Sequence, residues 1–417
     1  MSRVEENKSA VPGLQDALKA DRLPIWRLLA FTMAGFIAIL TETMPAGLLP
    51  QISRDLGVSE AMSGQLVSLY ALGSVVAAIP LIAATRRWRR KRVLLLAIGG
   101  LFLFNTATVL SADYVLTLIA RFVAGMAAAL IWGLLAGYVR RMVPNHLQGR
   151  ALAIAGVGQP IALSLGIPLG AWLGTLFDWR GIFGIISALT LALIVWVVAA
   201  VPDYPGQAQH ERQPIRKIFM TPGVRPVLLV LFVWMLAHNI LYTYIAPFMA
   251  FVGLANRLGL VLLIFGFSSV IGIWITGQFI DARLRFLTLI SLATFAVVAM
   301  VLGLASELNG VTYLGVSLWG LTFGGAPTLL QTAIADAAGE GADVAQSMLV
   351  TIFNLAVAGG GIVGGLLLEQ MGAGSFPWTL AFLSLVGLLT VWACKNNAFK
   401  PDRRSQGGNS AFSSDHI

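Results

Sequence analysis

The sequence predicts an all-α membrane protein in which twelve transmembrane helices form two pseudo-symmetric six-helix bundles. Of the 417 residues, 57% are hydrophobic and only 11% are charged, whereas a soluble domain carries roughly 25% charged residues. Apolar runs of about 20 residues, the length that crosses a bilayer as a helix, follow one another along the chain. They lack the alternation of transmembrane barrel strands, so we expect them to cross as helices.

Short polar breaks separate the predicted spans. We place spans one to six at residues 26–49, 63–84, 93–111, 115–138, 151–175 and 182–201, and spans seven to twelve at 227–252, 258–280, 286–305, 311–334, 344–368 and 378–395. The longest polar break follows span six. The predicted order is therefore a cytoplasmic tail, a bundle, a cytoplasmic linker, a second bundle and a flexible cytoplasmic tail, at 1–25, 26–201, 202–226, 227–395 and 396–417.

Span one contains a carboxylate at a depth where an apolar side chain would be expected. Glu42 lies in the stretch LTETMPAGLLP, residues 40–50, and by our spans the other eighteen of the 19 acidic residues fall in tails, loops or span ends. An ionisable group at this depth costs about 2.5 to 3.5 kcal/mol on insertion scales. Glu42 should therefore have a partner or face a water-filled cavity, and a functional role is the default hypothesis.

The loop after span two, RRWRRKR at residues 86–92, is the densest basic cluster. If the N-terminus is cytoplasmic, the 28 lysines and arginines are all cytoplasmic except Arg54, Arg180 and Arg257 outside and Arg121 in the membrane. The positive-inside rule thus predicts that both termini lie in the cytoplasm. The cluster should face the anionic inner leaflet, so we expect membrane lipids as partners and not nucleic acid.

Span four supplies a counterpart to Glu42. At about 1.5 Å per residue, Glu42 lies roughly 10 Å and Arg121 roughly 9 Å inside the outer ends of their spans, so the two share a level. A carboxylate in this setting is pulled in opposite directions by desolvation and by a nearby guanidinium, and changes in hydration would let it bind and release a proton. Three alternatives stay open for Glu42: proton carrier, a fixed pair with Arg121, or direct contact with substrate.

A weak repeat relates the two bundles. Thr41 and Pro45 in span one correspond to Thr243 and Pro247 in span seven, at an offset of 202 residues. Spans five and eleven are both rich in glycine, which allows close helix packing. Spans five and eight, and likewise two and eleven, should therefore form surfaces on which the halves rock. Such paired halves suit a transporter with its site near the bilayer midplane.

The remaining candidate site residues are polar side chains in the second half and in span five. His238 is a candidate proton or substrate group, or equally an interhelical hydrogen-bond partner. Asn239, Tyr242 and Tyr244 follow it in span seven. Gln159, Gln331 and Asn354 offer amides that would either bind substrate or join helices.

Several of these stretches resemble one family. TETMPAGLLP is similar to the first-span signature of bacterial sugar, arabinose and purine-nucleoside exporters. Three later stretches are similar to the seventh, tenth and eleventh spans of those exporters: AHNILYTYIAPF (237–248), WGLTF (319–323) and IFNLAVAGGGIVGG (352–365). The chain is thereby identified as resembling the major facilitator superfamily, specifically its twelve-span drug:proton antiporters. The resemblance implies the major facilitator fold and export driven by a proton gradient.

The resemblance also assigns roles to motif residues. LIARFVAGMAAA resembles the fourth-span motif, with Arg121 as its arginine, implied in proton coupling, and Gly125 as its glycine. GIPLGAWLG resembles the antiporter motif of span five through Gly166, Pro168 and Gly170, with one extra residue between Gly166 and Pro168.

The loop after span eight keeps the family's Gly277 and Asp281, whereas the loop after span two keeps only the basic part of that pattern. Ala246 stands where the family often has a glutamate before the proline of span seven. A second coupling carboxylate at that position is therefore absent.

These observations predict proton-coupled efflux of small organic molecules, such as sugars, nucleosides or amphipathic drugs, across the bacterial inner membrane. No Walker loop occurs, and one cysteine with four histidines offers too few ligands for a metal site. We therefore expect no enzymatic activity, no metal and no cofactor, and a monomer driven by protons. An uptake symporter on the same fold and a non-transporting membrane sensor are the alternatives.

Overall fold

A computed structural model of the chain describes residues 23–85, 87–144, 147–206 and 215–399. Every regular element within these ranges is a helix, and eleven helices are long and apolar enough to cross a membrane. The predicted all-α membrane fold is confirmed. The predicted tails outside 23–399, and residues 207–214 of the predicted linker, lie outside the described residues.

The first half contains spans one to six. Spans one to four are Ile25–Leu56, Glu60–Ala84, Arg90–Leu110 and Tyr114–Arg141, and span six is Trp179–Ala200. Span five is segmented into Gln148–Gly156, Gly158–Ile161, a π-helical turn Ala162–Gly166, and Ile167–Leu173. π turns hold one residue more than α turns and occur mostly as single bulges within α-helices.

The second half contains spans seven to twelve. Its helices are Ile215–Phe219, Val224–Thr243, Ile245–Phe251, Leu258–Ala305, Asn309–Gly324, Ala326–Ala338, Ala342–Met371 and Phe376–Ala393, with short 3₁₀ turns between some of them. Val224–Thr243 and Ile245–Phe251 together form span seven. Ala342–Met371 and Phe376–Ala393 are spans eleven and twelve.

Two details of the second half differ from the predictions. The tenth span is two helices that meet at Gly325, because Pro327 at the start of the second helix lacks a backbone N–H and disfavours helix before it. The predicted loop 277–285 is helical instead. Leu258–Ala305 consists of two helices, spans eight and nine, which meet at a kink at Arg283, where the backbone angles are not helical (φ −138°, ψ 34°).

Among the described residues, the most extensive contacts between the two halves join span one with span seven, span two with span eleven, and span five with span eight. We call the end of the bundle where span one passes into span two at Gly57 the distal face. The opposite end, where the described chain begins at Leu23 and finishes at Phe399, is the terminal face. Because Gly57 takes a left-handed conformation (φ 65°), glycine suits this turn.

At the terminal face the basic loop binds the segment that follows span six. Arg89 Nε donates to Asp203 Oδ2 at 2.5 Å and the Lys91 backbone N–H to Oδ1 at 3.1 Å. The Tyr138 hydroxyl donates to the Pro202 carbonyl at 2.6 Å. Partial desolvation raises the pKa of Asp203, but these hydrogen bonds and the charge of Arg89 outweigh it and hold the pKa below its ordinary value. Part of the basic cluster therefore anchors the start of the linker.

The second half has a related contact. Arg285 donates to the carbonyls of Val391 at 2.8 Å and Trp392 at 3.0 Å, at the end of span twelve. In each half, an arginine near the start of its third span thus holds the chain that leaves its sixth span.

Candidate functional site

Arg121 is the centre of the polar site in the first half. Its side chain is fully buried, and its Nη2 donates to the Thr41 carbonyl at 2.5 Å and the Glu42 carbonyl at 3.2 Å. Nε donates to the Leu66 carbonyl at 3.3 Å. The guanidinium also lies 4.8 Å from the ring centroid of Tyr70. Carbonyl oxygens and an aromatic face therefore solvate a charge that lipid could not.

Pro45 explains why the carbonyl of Thr41 is open to Arg121. In a helix the carbonyl of residue 41 normally accepts from the N–H of residue 45, and a proline at position 45 has none. The oxygen left without its helical donor is the one closest to the guanidinium. The Thr-Pro spacing of four residues thus leaves the Thr41 carbonyl free to accept a hydrogen bond, and Arg121 on span four donates that bond.

Glu42 is buried beside this arginine, at 6% exposure. It lies close enough for the two charges to interact electrostatically. Within the described part of the chain, however, its carboxylate forms no ion pair with the Arg121 guanidinium, which binds the Glu42 backbone instead. The fixed pair, one of the three alternatives for Glu42, is therefore not what the structure contains.

The neighbouring polar groups belong to the first half. The amide of Asn105 on span three donates to the Thr41 hydroxyl at 3.0 Å, and the Tyr70 hydroxyl donates to the Ala38 carbonyl at 3.0 Å. Two buried atoms of this site have no hydrogen-bond partner among the described residues: Arg121 Nη1 and Asn105 Oδ1. The site thus retains donor and acceptor capacity for water or a bound molecule.

Tyr244, predicted as a substrate group, lies in the contact between the halves at the distal face. Its hydroxyl is 2.7 Å from the Gly361 carbonyl and 3.1 Å from the Ala61 carbonyl, and Gln65 Nε2 donates to it at 3.4 Å. Gln65 also donates to Gly361 at 3.1 Å. Since Ala61 and Gln65 belong to span two, these bonds hold the first half against spans seven and eleven.

A further bond and close packing complete this contact. The Ser59 hydroxyl is hydrogen-bonded to Glu369 Oε1 at 3.0 Å. Gly64 faces the Tyr244 ring and Gly361 faces Ser68, so closely that a Cβ on either glycine would overlap its neighbour. The distal face is therefore closed by hydrogen bonds between polar side chains and by glycine packing.

His238 lies in a cluster of aromatic rings inside the second half. Phe323 stacks on it with ring centroids 3.4 Å apart, and Tyr242 stacks on it at 5.1 Å. Phe265 and Trp319 lie at 5.8 and 5.4 Å. Trp319 Nε1 donates to His238 Nδ1 at 3.2 Å. Two of the candidate residues of span seven, His238 and Tyr242, thus come together, with rings contributed by spans eight and ten.

The amides are placed less centrally. Asn239 is buried against Gly360 and donates to the Met235 carbonyl at 2.8 Å. Asn354 donates to Val350 within its own helix at 2.9 Å. Gln159 is half-buried in span five, and Gln331 is exposed in the second part of span ten. The structure does not bring these four amides to one point.

The motif residues mainly set how closely helices approach. A Cβ at Gly125 would overlap the Tyr70 carbonyl oxygen, and Gly166 and Gly170 pack on side chains of span one, Leu40 and Met44. Because these glycines lack a Cβ, span four packs closely against span two, and span five packs closely against span one.

The remaining motif residues have simple placements. Pro168 is buried at the start of Ile167–Leu173, and Pro247 is buried within Ile245–Phe251. Gly277 lies in a helix with open space around it. Asp281 is in the same helix, and its side chain lies outside the described part of the chain.

Sequence reasoning missed several residues of these sites. Trp319 and Phe323 lie in the stretch WGLTF, and their spacing of four residues places both rings on one face of a helix. This spacing could have predicted that the two rings share one site. Tyr70 and Gln65 carry no such signal, because Tyr70 binds a backbone carbonyl of span one and Gln65 binds groups of spans seven and eleven.

The comparisons with known proteins agree with this architecture. Residues 31–345 match the Major Facilitator Superfamily. A purine ribonucleoside efflux pump of Shigella sonnei is 30% identical over 369 residues, which cover 87% of this chain and 93% of that protein. A probable sugar efflux transporter of Mannheimia succiniciproducens is 27% identical over 379 residues, covering 88% and 94%. The crystal structure of a D-xylose-proton symporter matches with a TM-score of 0.73 and 14% identity, over 91% of this chain and 98% of that one, which shows a shared fold.

Proposed function

Because the chain belongs to the Major Facilitator Superfamily, we propose that it exports small organic molecules across the bacterial inner membrane in exchange for protons. The similar proteins are named for efflux of sugars and of purine ribonucleosides, which supports small, neutral and polar cargo. We further propose that the chain works as a monomer in contact with lipids, needs no cofactor, and has both termini in the cytoplasm. The distal face would then be periplasmic.

The observation that carries the proton coupling is the state of Glu42. It is a buried carboxyl next to a buried guanidinium that is already solvated by main-chain carbonyls. Direct ion pairing would hold the carboxylate in its charged form. Without that pair, a proton can bind to and leave Glu42 while Arg121 stays in place.

Alternating access supplies the link between proton and cargo. In this conformation the distal face is closed by the bonds of Tyr244, Gln65 and Ser59. Glu42 lies in span one, which contacts span seven across the halves. Loss or gain of a charge in span one would therefore change the balance between conformations in which the halves meet at opposite faces.

The test uses purified protein in proteoliposomes. Glu42→Gln should abolish uphill, proton-driven transport and leave counterflow exchange intact, because exchange needs rocking of the halves but no net proton movement. Glu307→Gln is the matched control, since Glu307 is exposed in a loop and its loss should change neither. Uphill transport by Glu42→Gln at the wild-type rate would refute the proton role.

The same vesicles distinguish an exporter from an uptake symporter, and a transporter from a sensor. In vesicles with the distal face inside, an exporter moves protons out as substrate enters, so the lumen becomes alkaline. A symporter would make it acidic. Absence of saturable exchange for sugars, nucleosides and amphipathic drugs alike would favour a sensor.

A further inference from the structure

The hydrogen bond between Trp319 and His238 determines where the histidine carries its proton. The indole N–H is a donor only, so Nδ1 of His238, 3.2 Å away, must be the acceptor and must be unprotonated. In the neutral ring the proton then sits on Nε2. Adding a proton to Nδ1 would set two N–H groups against each other.

The other edge of the ring is free. Nε2 makes no hydrogen bond within the described chain, and the Tyr242 hydroxyl, one helical turn further along span seven, is buried without a partner among the described residues. The two rings stack with centroids 5.1 Å apart. Buried polar groups in native proteins are normally satisfied, so the Tyr242 hydroxyl, on a ring stacked against a histidine whose Nε2 is also free, indicates a ligand or water that completes it.

The surroundings are uncharged. The rings packed on His238 come from spans seven, eight and ten, and Tyr242 is the only titratable group among them: Tyr242, Phe265, Trp319, Phe323. The adjacent Asn239, and Gly360 of span eleven, are neutral. A cation or an anion would find no counter-charge in this cluster.

We propose that His238 Nε2–H and the Tyr242 hydroxyl are a recognition pair for the cargo, and that Trp319 is the positioning residue that keeps His238 neutral. Their ligand is an uncharged molecule with an acceptor for Nε2–H and an adjacent donor or acceptor, as in a polyol or a nucleoside. His238 is then a fixed donor and not a proton carrier. This inference rests on the proposed function for its cargo, but its central statement, the tautomer, can be measured without transport.

The first experiment is nitrogen NMR of protein labelled with ¹⁵N-histidine in nanodiscs, between about pH 5 and 8. The other three histidines, His146, His210 and His416, lie outside the described residues and are replaced by glutamine. We expect one neutral Nε2–H form at every pH. In Trp319→Phe the signal should become a pH-dependent mixture, whereas Trp234→Phe should leave it unchanged, because the Trp234 indole N–H has no partner among the described residues. A protonated or Nδ1–H form in the wild type would overturn the proposal.

The second experiment measures binding by counterflow with adenosine in one arm and D-glucose in the other. A glutamine amide replaces Nε2 of histidine in position and an asparagine amide replaces Nδ1, so His238→Gln should keep affinity and His238→Asn should lose about two- to tenfold, as should Tyr242→Phe. Trp319→Phe should make affinity pH-dependent. Equal affinity of the Gln and Asn variants for both probes would contradict the pair. The tautomer is measured without transport and counterflow needs no net proton movement, so a failure of recognition and a failure of proton coupling are distinguishable.

Discussion

Removing the Tyr244 hydroxyl should loosen the closed distal face. Tyr244→Phe removes the one hydroxyl proton that the Gly361 carbonyl at 2.7 Å and the Ala61 carbonyl at 3.1 Å share, and the oxygen that accepts from Gln65 at 3.4 Å. The contacts with Ala61 and Gln65 cross between the halves. The bond to Gly361 stays within the second half, so its loss affects open and closed states alike. A neutral hydrogen bond contributes about 0.5 to 1.5 kcal/mol net, which predicts a two- to tenfold rise in the ratio of open to closed distal face.

The assay is the distance between two spin labels across that face. Met62 at the start of span two and Met371 at the end of span eleven are 40% and 70% exposed, so both accept labels after the single cysteine, Cys394, is replaced by serine. We expect the long-distance fraction to grow in Tyr244→Phe.

The control is Tyr138→Phe, which loses a hydroxyl bond of similar kind to Pro202 within the first half. Its distance distribution should match the wild type. An unchanged distribution in Tyr244→Phe, or an equal shift in both variants, would show that these bonds do not hold the halves together.

Two further predictions concern the remainder of the fold. The pKa of Asp203 is held below its ordinary value, so its contact with Arg89 contributes fully to stability above about pH 4 and is lost as the pH falls through the lowered pKa. Hydrogen exchange of residues 202–206 should therefore rise on acidification in the wild type. In Asp203→Asn it should be high at every pH. Gly125→Ala would push a Cβ into the Tyr70 carbonyl oxygen and should lower stability by about 1 to 3 kcal/mol in thermal unfolding. Gly99→Ala, in a helix with open space around it, should instead raise stability by about 0.4 to 1 kcal/mol.

The fold was accessible from the sequence because lipid simplifies the problem. A backbone in hydrocarbon must satisfy its own hydrogen bonds, so apolar runs convert directly into helices. The tenth span shows the limit of this rule. Its hydropathy is continuous across residues 311–334, but Pro327 divides it, and hydropathy does not register a missing N–H.

The sequence predicted which residues lie near each other in the first-half site better than it predicted the hydrogen bonds that they form. Counting residues along two helices placed Glu42 and Arg121 at one level, and the structure brings them together. That Arg121 would bind main-chain oxygens was not foreseen, because opposite charges suggest a side-chain pair. The information was present in the spacing of Thr41 and Pro45, which marks an open carbonyl. Tyr244 could not be separated from Tyr242 by sequence, since two positions on a helix point to different neighbours and only packing identifies them.

The π turn in span five accounts for an irregularity in its sequence. One residue too many separates Gly166 from Pro168, and the wide turn over Ala162–Gly166 ends at that point. A straight α-helix with an inserted residue would rotate everything downstream by about 100°, but a wide turn takes up the surplus locally. Gly158 before it and Gly170 after it consequently both still rest on span one. The helix therefore accommodates an additional residue at a tightly packed surface and keeps the same contact with span one.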